Sequence, residues 1–234
     1  MVAGWLYGSS AGLQAADVGL IKINGAIGPA TASYIGRAID VASERGDACL
    51  IIELDTPGGS LDSTKAIVQK FYASTVPTVV YVAPEGAWAG SAGCFITLAA
   101  DVAAMAPATS IGAAHPVSIG PGGEEKTSDV MKEKQEQIAG SFIEGIAKKR
   151  GHNAEWARSS VVKSQAITAE QALEQTVIDL IAKDLPDLLT QLDDREVGGK
   201  TLKTANANVV DIPMTTQERV LQLLSHPELM LILM

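Results

Sequence analysis

Short apolar strands alternate with helical segments along the first half of the chain, and this alternation restricts the fold more than any other feature. The stretches 18–23, 50–54 and 78–82 are almost wholly apolar, as expected of strands that are covered on both faces. Between them, apolar residues recur at helical spacing, over 35–42 and again over 61–71. Strands that are joined through helices pair in parallel, with helices packed on the sheet. The sequence therefore predicts an α/β protein with a buried parallel sheet.

The second half of the chain carries the same kinds of pattern. Further elements are predicted as a strand over 102–105, a helix over 130–150 that Gly151 ends, a helix opened by a capping box at Thr168, a strand over 177–181 and a helix over 185–192.

Composition and charge exclude several classes of protein. The 234 residues are 47% hydrophobic, which is too apolar for a disordered chain, and the 22 glycines are far too few for a collagen-like one. Asp and Glu number 27 against 18 Lys and Arg, so binding to a nucleic-acid backbone is not expected. Cys49 and Cys94 both lie within apolar runs, which predicts two buried free thiols.

The two ends of the chain differ from the rest. Residues 1–16 are small, apolar and uncharged, which predicts a signal-peptide remnant or a mobile tail, although the positive start of a signal is missing. Residues 213–234 are predicted to form an amphipathic helix that leads to a missing transmembrane segment. The alternative is a C-terminal helix that docks on the core. The domain between these ends is predicted at 17–212.

Two glycine-rich turns offer positions for chemistry. Residues 55–59 read Asp-Thr-Pro-Gly-Gly after a strand, and there Gly58 and Gly59 would let the backbone approach a ligand, although such a turn is common. Residues 89–93 read Ala-Gly-Ser-Ala-Gly, which differs from the serine elbow of hydrolases by an alanine in place of the first glycine. Ser91 could be a nucleophile at a helix N-terminus or an ordinary N-cap serine.

A nucleophilic serine needs a base, and a histidine is one option. His115 lies 24 residues after Ser91 and is a candidate. His152 follows a helix-ending glycine and His226 lies near the C-terminus, so both are predicted to be peripheral.

A lysine is the other option, provided that burial or positive neighbours keep its amine neutral. Lys126, Lys132 and Lys134 lie within range of Ser91 along the chain. Helical spacing relative to Ile146 alone would select Lys132.

Five segments together resemble a known family. In order, they are Asp-Thr-Pro-Gly-Gly at 55–59, Gly-Ser-Ala-Gly at 90–93, Ser-Ile-Gly-Ala-Ala-His-Pro at 110–116, the stretch from Lys134 to Arg-Gly-His-Asn at 150–153, and Ile-Thr-Ala-Glu-Gln-Ala at 167–172. With these, the chain resembles the extracytoplasmic protease domain of the long NfeD-type membrane proteins, the stomatin-operon partner proteases. It is similar more broadly to ClpP and to signal peptide peptidase A. The resemblance covers about residues 17–185.

This resemblance implies a ClpP/crotonase-like spiral of ββα units and a Ser–Lys dyad. Ser91 falls on the family's nucleophile, and Lys134 falls on its general base in preference to Lys132. The resemblance also implies an oxyanion hole, to which the backbone amides of three residues would contribute: Gly58, Gly59 and Ala92.

The resemblance to ClpP implies a different arrangement, a Ser–His–Asp triad in which His115 would be the base. The position of its aspartate is occupied here by Ser164 or Lys163, so the carboxylate that would orient the histidine is missing. Two departures from the family pattern are Gln137, where asparagine is frequent, and Thr176, where glycine is usual.

The function implied is that of a membrane-associated serine endopeptidase that cleaves hydrophobic polypeptide segments, such as the C-terminal region of a stomatin-like partner. The protease domain would lie on the extracytoplasmic side of the membrane, as a homo-oligomer (a dimer or larger). We expect no metal or other cofactor, because no ligand cluster or phosphate-binding loop is found in the sequence. The alternatives are a non-catalytic scaffold for membrane-organising partners and a crotonase-like acyl-CoA enzyme.

Overall fold

A computed structural model describes residues 17–116, 119–120, 123–124 and 128–224. The tail predicted at 1–16 and the apolar end at 225–234 lie outside the described residues, as does Lys126. None of the helices within the described ranges is long and apolar enough to cross a membrane.

Strands and helices alternate through most of the chain. The strands are β1 (Val18–Asn24), β2 (Cys49–Asp55), β3 (Thr78–Val82), β4 (Trp88–Gly90), β5 (Val102–Met105), β6 (Ser110–Gly112), β7 (Ile119–Gly120), β8 (Gly123–Glu124), β9 (Ala166–Thr168), β10 (Leu180–Ile181), β11 (Glu196–Val197), β12 (Lys200–Thr201) and β13 (Val209–Asp211). The helices are α1 (Pro29–Arg45), α2 (Leu61–Ala73), α3 (Ala92–Ala99), α4 (Asp129–Arg150), α5 (Ala154–Val162), α6 (Ala169–Glu174), α7 (Leu185–Leu192) and α8 (Thr216–Leu224).

The largest sheet has six parallel strands in the order β10-β5-β3-β2-β1-β13. Its faces follow the two-residue alternation of strand side chains. Ile21, Ile52 and Val80 face one core, which also contains residues of α1 to α4. Ile51 and Tyr81 face a second core, which α7 covers. Both faces are therefore buried, and the predicted α/β parallel sheet is confirmed.

A second, three-stranded sheet, in the order β4-β6-β9, was not predicted from the sequence. Each of its strands has three residues, too few for an alternating pattern to be recognised. β4 and β6 run parallel, whereas β6 and β9 run antiparallel. A parallel bridge between Thr56 and Ala89 connects the end of β2 to this sheet. The small sheet thereby holds the two glycine-rich turns next to each other.

The later elements agree with the sequence in most respects. α4 ends at Gly151, which adopts a left-handed conformation with a φ of 78° that glycine accommodates easily. Thr168 forms the predicted capping box at the start of α6. The strand predicted over 177–181 is shorter, because the amide of Val177 donates to the Ala172 carbonyl at the end of α6. α5 was not predicted.

The last described helix, α8, is attached to α1 by charged and polar contacts. Arg37 donates from Nε and Nη2 to the two carboxylate oxygens of Glu218, each at 2.8 Å. Glu218 also accepts from the Thr215 amide, and the Thr215 hydroxyl accepts from the Glu218 amide, so the pair forms a capping box. The Tyr34 hydroxyl donates to the Ile212 carbonyl just before this turn. These contacts anchor the chain that leads into α8.

The charge of Glu218 makes part of the stability depend on pH. The hydrogen bonds from Arg37 hold its pKa below the ordinary value, outweighing burial, which raises it. A carboxyl whose pKa is lowered by folding stabilises the protein above the unfolded value of ~4.3, and this contribution is lost as the pH falls through the folded value. We expect Glu218→Gln to lower the free energy of unfolding near neutral pH by about 2 kcal/mol. Urea denaturation at several pH values measures the difference from wild type, which should close in acid.

Glu174→Gln serves as the control for this measurement, because Glu174 is exposed at the end of α6. Its effect on the free energy of unfolding should be close to zero throughout. A Glu218→Gln difference that is equally large at neutral and acid pH would contradict the stabilising role of the charge.

Candidate active site

Two parallel strands end side by side at the site, and each is followed by a residue with a positive φ. Ser91 follows β4 with a φ of 47°, and Ala113 follows β6 with a φ of 48°. The Ser91 amide donates to the carbonyl of Gly112 at 3.0 Å, which ties the two turns together. Such a conformation costs a non-glycine residue about 1–3 kcal/mol, and it is found most often where function requires it.

Ser91 precedes α3 but does not cap it in the usual way. An N-cap serine accepts a hydrogen bond from an amide of the first helical turn through its hydroxyl, and Ser91 makes no such bond. Its half-buried hydroxyl bonds to no other group among the described residues. The ordinary N-cap explanation is therefore not supported, and the hydroxyl is available for chemistry.

The backbone at Gly58 lies directly against Ser91. A Cβ atom built on Gly58 would come within 2.5 Å of the Ser91 Cβ and 3.1 Å of its Oγ, and the φ of Gly58 is +125°. The site thus requires glycine at this position both for space and for backbone conformation.

The amide of Gly58 is already used within the chain, since it donates to the Thr56 Oγ1 at 3.0 Å. The amides of Gly59 and Ala92 have no acceptor within the part of the chain that the structure describes. Gly59 is flanked by a parallel bridge in which Ile27 bonds to the Gly58 carbonyl and the Ser60 amide. The alternation of a strand therefore turns the N–H of Gly59 away from Ile27. Gly58 would have to give up its bond to Thr56 before it could bind an oxyanion.

These groups line a cavity of about 880 Å³. Ser91, the two glycines at 58–59 and Ala92 are on its wall, together with Phe95 and His115. None of the described lining residues is Asp, Glu, Lys or Arg. The volume is that of an ordinary ligand site, and its uncharged wall suits an apolar polypeptide. Across the described ranges, no three His, Cys, Asp or Glu side chains are grouped so that they could hold a metal ion.

Of the candidate bases that the structure describes, His115 is the one that lines the cavity. Its Nδ1 lies 3.0 Å from the carbonyl oxygen of Val161, so a backbone carbonyl orients the ring where a triad would use a carboxylate.

Lys132 and Lys134 lie in the first half of α4, where both side chains are exposed and neither lines the cavity. α4 reaches the cavity at Ala139. Lys132 precedes Ala139 by seven residues and therefore lies closer to that face of the helix than Lys134 does. Helix geometry thus gives no preference for Lys134, which rests on the resemblance.

The prediction that His152 is peripheral was wrong. It is 8% exposed, and its Nε2 lies 3.4 Å from Asp179 Oδ2. The chain turns inward after Gly151, so a residue that follows a helix end becomes buried. It is not among the residues that line the cavity.

The two cysteines are free and buried, as predicted. Burial raises the pKa of Cys49 and of Cys94 to about 12. Cys94 lies only three residues after Ser91, but its thiol is buried and protonated and does not compete with the hydroxyl as a nucleophile.

Known proteins resemble this chain in sequence and in fold. Residues 17–197 match the family described as NfeD1b, N-terminal domain. The chain belongs to this family. A relative, the membrane-bound protease PH1510 of Pyrococcus horikoshii, is 36% identical over 200 residues, which cover 84% of this chain and 43% of that protein. The chain thus spans less than half the length of this relative.

Solved structures of the family have the same fold. A serine-to-alanine mutant of the 1510-N membrane-bound stomatin-specific protease matches with a TM-score of 0.80 and 32% identity over 87% of this chain and 100% of that one. A lysine-to-alanine mutant of the same protease, in complex with a substrate peptide, matches with a TM-score of 0.82 and 31% identity over 91% and 99%. ClpP1 from Listeria monocytogenes matches with a TM-score of 0.56 and 17% identity over 70% and 91%, which concerns the fold alone. The predicted ClpP-like fold is confirmed.

The close contact between Gly59 and the backbone of Ile27 can be tested by substitution. A Cβ atom on Gly59 would lie 2.0 Å from the carbonyl oxygen of Ile27, which is backbone and cannot move aside cheaply. We expect Gly59→Ala to lower the free energy of unfolding by about 1–3 kcal/mol, measured by urea denaturation.

Gly145→Ala adds the same atom in the interior of α4, where nothing lies within 4 Å. This control should be neutral or stabilising by up to ~1 kcal/mol, because alanine favours the helix. If both variants have the same stability, the proposed contact between Gly59 and Ile27 is incorrect.

Proposed function

We propose that the chain is the catalytic domain of a membrane-associated serine endopeptidase that cleaves hydrophobic polypeptide segments. The observation that supports this most directly is the strained turn at Ser91, whose unbonded hydroxyl lies against Gly58 in an uncharged cavity. The relative PH1510 is a membrane-bound protease, and solved members of the family are described as specific for stomatin. We infer a stomatin-like protein as the partner, with the domain on the extracytoplasmic side of the membrane and in a homo-oligomer.

In the proposed mechanism, the hydroxyl of Ser91 attacks the peptide carbonyl and gives its proton to a neutral lysine amine. The oxyanion accepts hydrogen bonds from the amides of Gly59 and Ala92, where the N-terminus of α3 also favours negative charge. The lysine then protonates the leaving amine, which breaks the C–N bond and leaves an acyl-enzyme. Water attacks the ester and regenerates the serine.

We assign Lys134 as the base from the family resemblance. Relatives in which a serine or a lysine was replaced by alanine, the latter with a substrate peptide bound, support a Ser–Lys pair in the family. The side chain of Lys134 is exposed, and lysines that act as bases do so in desolvated surroundings. An apolar substrate that fills the cavity and covers the first half of α4 would exclude water from this side chain.

The test is cleavage of a hydrophobic peptide by matched variants. Ser91→Ala and Lys134→Ala should each lower kcat by ~10²–10⁴-fold or more, because each removes a group that acts in the transition state. Lys132→Ala is the matched control on the same helix, and it should retain most of the activity, as should His115→Ala. Thermal unfolding of every variant checks that the fold is intact.

Other outcomes would reassign the base. Loss of activity in Lys132→Ala but not in Lys134→Ala would make Lys132 the base. Loss in His115→Ala alone would favour a histidine oriented by the Val161 carbonyl. Full activity in Ser91→Ala would end the proposal of serine catalysis.

A non-catalytic scaffold is the second candidate, and one observation favours it. Neither Lys132 nor Lys134 lines the cavity that contains Ser91, so among the described residues neither candidate lysine is placed beside the serine. A fluorophosphonate probe separates the two functions, because it labels a serine only where that serine is activated. Labelling at Ser91 in the wild type supports the peptidase. A wild-type chain that binds the hydrophobic peptide but neither cleaves it nor reacts with the probe, when the probe is added without the peptide, supports the scaffold.

A further inference from the structure

A residue of the C-terminal helix lies at the cavity of Ser91. Gln222 of α8 is half-buried and lines this cavity, although it is 131 residues further along the chain. α1 begins at the cavity with Pro29, and α8 packs against α1. This packing places Gln222 of α8 at the cavity wall.

Unlike most polar groups of the cavity, the side chain of Gln222 has no hydrogen-bond partner within the ranges that the structure describes. The hydroxyls of Thr31 and Thr64 donate to backbone carbonyls, the Ser60 hydroxyl accepts from an amide of α2, and the His115 ring contacts the Val161 carbonyl. Within the described residues, the side chain of Gln222 makes no hydrogen bond. Its amide is thus left with both donors and an acceptor available inside the cavity.

The helix that carries Gln222 is fixed by the contacts described above. Glu218 lies four residues earlier and on the same face, so the carboxylate that pairs with Arg37 is one turn from Gln222. Arg37 also donates to the Pro213 carbonyl at 2.8 Å, so it binds the chain on both sides of the α8 cap. These bonds hold the helix from which the Gln222 side chain extends to the cavity wall.

We propose that Gln222 binds the main chain of the polypeptide substrate, and that the Arg37–Glu218 pair positions it. This inference rests on the proposed function, since it concerns the same cavity. A primary amide donates and accepts as a peptide group does, so it can pair with an extended substrate of any sequence. Gln222 is uncharged, and none of the described lining residues is Asp, Glu, Lys or Arg, so the site selects an uncharged, apolar segment.

The first experiment measures binding without turnover. The Ser91→Ala chain is titrated into a fluorescently labelled peptide of Val, Leu and Ala residues, and the Kd is read from anisotropy. The double variant Ser91→Ala/Gln222→Ala should bind the peptide about fivefold more weakly than Ser91→Ala alone. This factor corresponds to the loss of one hydrogen bond of ~1 kcal/mol. Gln217→Ala is the matched control, because Gln217 lies exposed on the same helix and does not line the cavity. It should leave the Kd unchanged.

The second experiment tests the positioning role through a double-mutant cycle. Glu218→Gln should weaken peptide binding when Gln222 is present and have little further effect in the Gln222→Ala background. A merely structural role of Glu218 would weaken binding equally in both backgrounds, and that result would overturn the positioning role. In the active chain, Gln222→Ala should raise KM several-fold more than it changes kcat.

The results separate this inference from the proposed function. Equal Kd values for the Gln222→Ala and Gln217→Ala chains would overturn the role of Gln222, even if the wild type cleaves the peptide. Weakened binding by Gln222→Ala, together with a wild-type chain that never cleaves the peptide, would support the binding site and contradict the peptidase. No binding of the peptide to the Ser91→Ala chain would overturn both.

Discussion

The close approach between the backbone at Gly58 and the turn at Ser91 is the constraint on which the site depends. There is no room for a side chain between them, since a Cβ on Gly58 would overlap that of Ser91. The bridge between Thr56 and Ala89 and the bond between the Ser91 and Gly112 turns bring three strand ends to one place. The large sheet provides a rigid base, and the small sheet brings the ends of the strands together. As a result, the Ser91 hydroxyl lies beside the amides of Gly59 and Ala92, and none of the three is hydrogen-bonded within the described residues.

Five strands of the large sheet and the two glycine-rich turns could be predicted from the sequence. The sixth strand, the three-residue β13, and the contacts between the turns could not. Strands such as β2 and β3 are long and apolar enough to be recognised, whereas the three-residue strands β4, β6 and β9 carry no periodic signal. The glycine pair at 58–59 and Ser91 were found from their motifs. The bond from Gly58 to Thr56, which leaves Gly59 and Ala92 as the free amides, depends on three-dimensional geometry that no spacing reveals.

Long-range placement explains the other differences. Gln222 lies in a segment whose only sequence signal is amphipathicity, and it reaches the cavity because Arg37 and Glu218 are 181 residues apart in sequence but in contact. His152 was expected at the surface because the chain turns there, and it is buried because the turn leads inward. For the lysines, helical spacing favoured Lys132 and the resemblance favoured Lys134, and both side chains are exposed on α4.

The two buried thiols have a practical consequence for work on this domain. Because Cys49 and Cys94 are buried and remain protonated at ordinary pH, maleimide reagents should leave the native chain unmodified. A single cysteine introduced elsewhere on the surface would then be the sole reactive site. Spectroscopic reporters can be attached in this way to the rim of the cavity beside Ser91. The natural cysteines need not be removed first, and their removal would create cavities in the core.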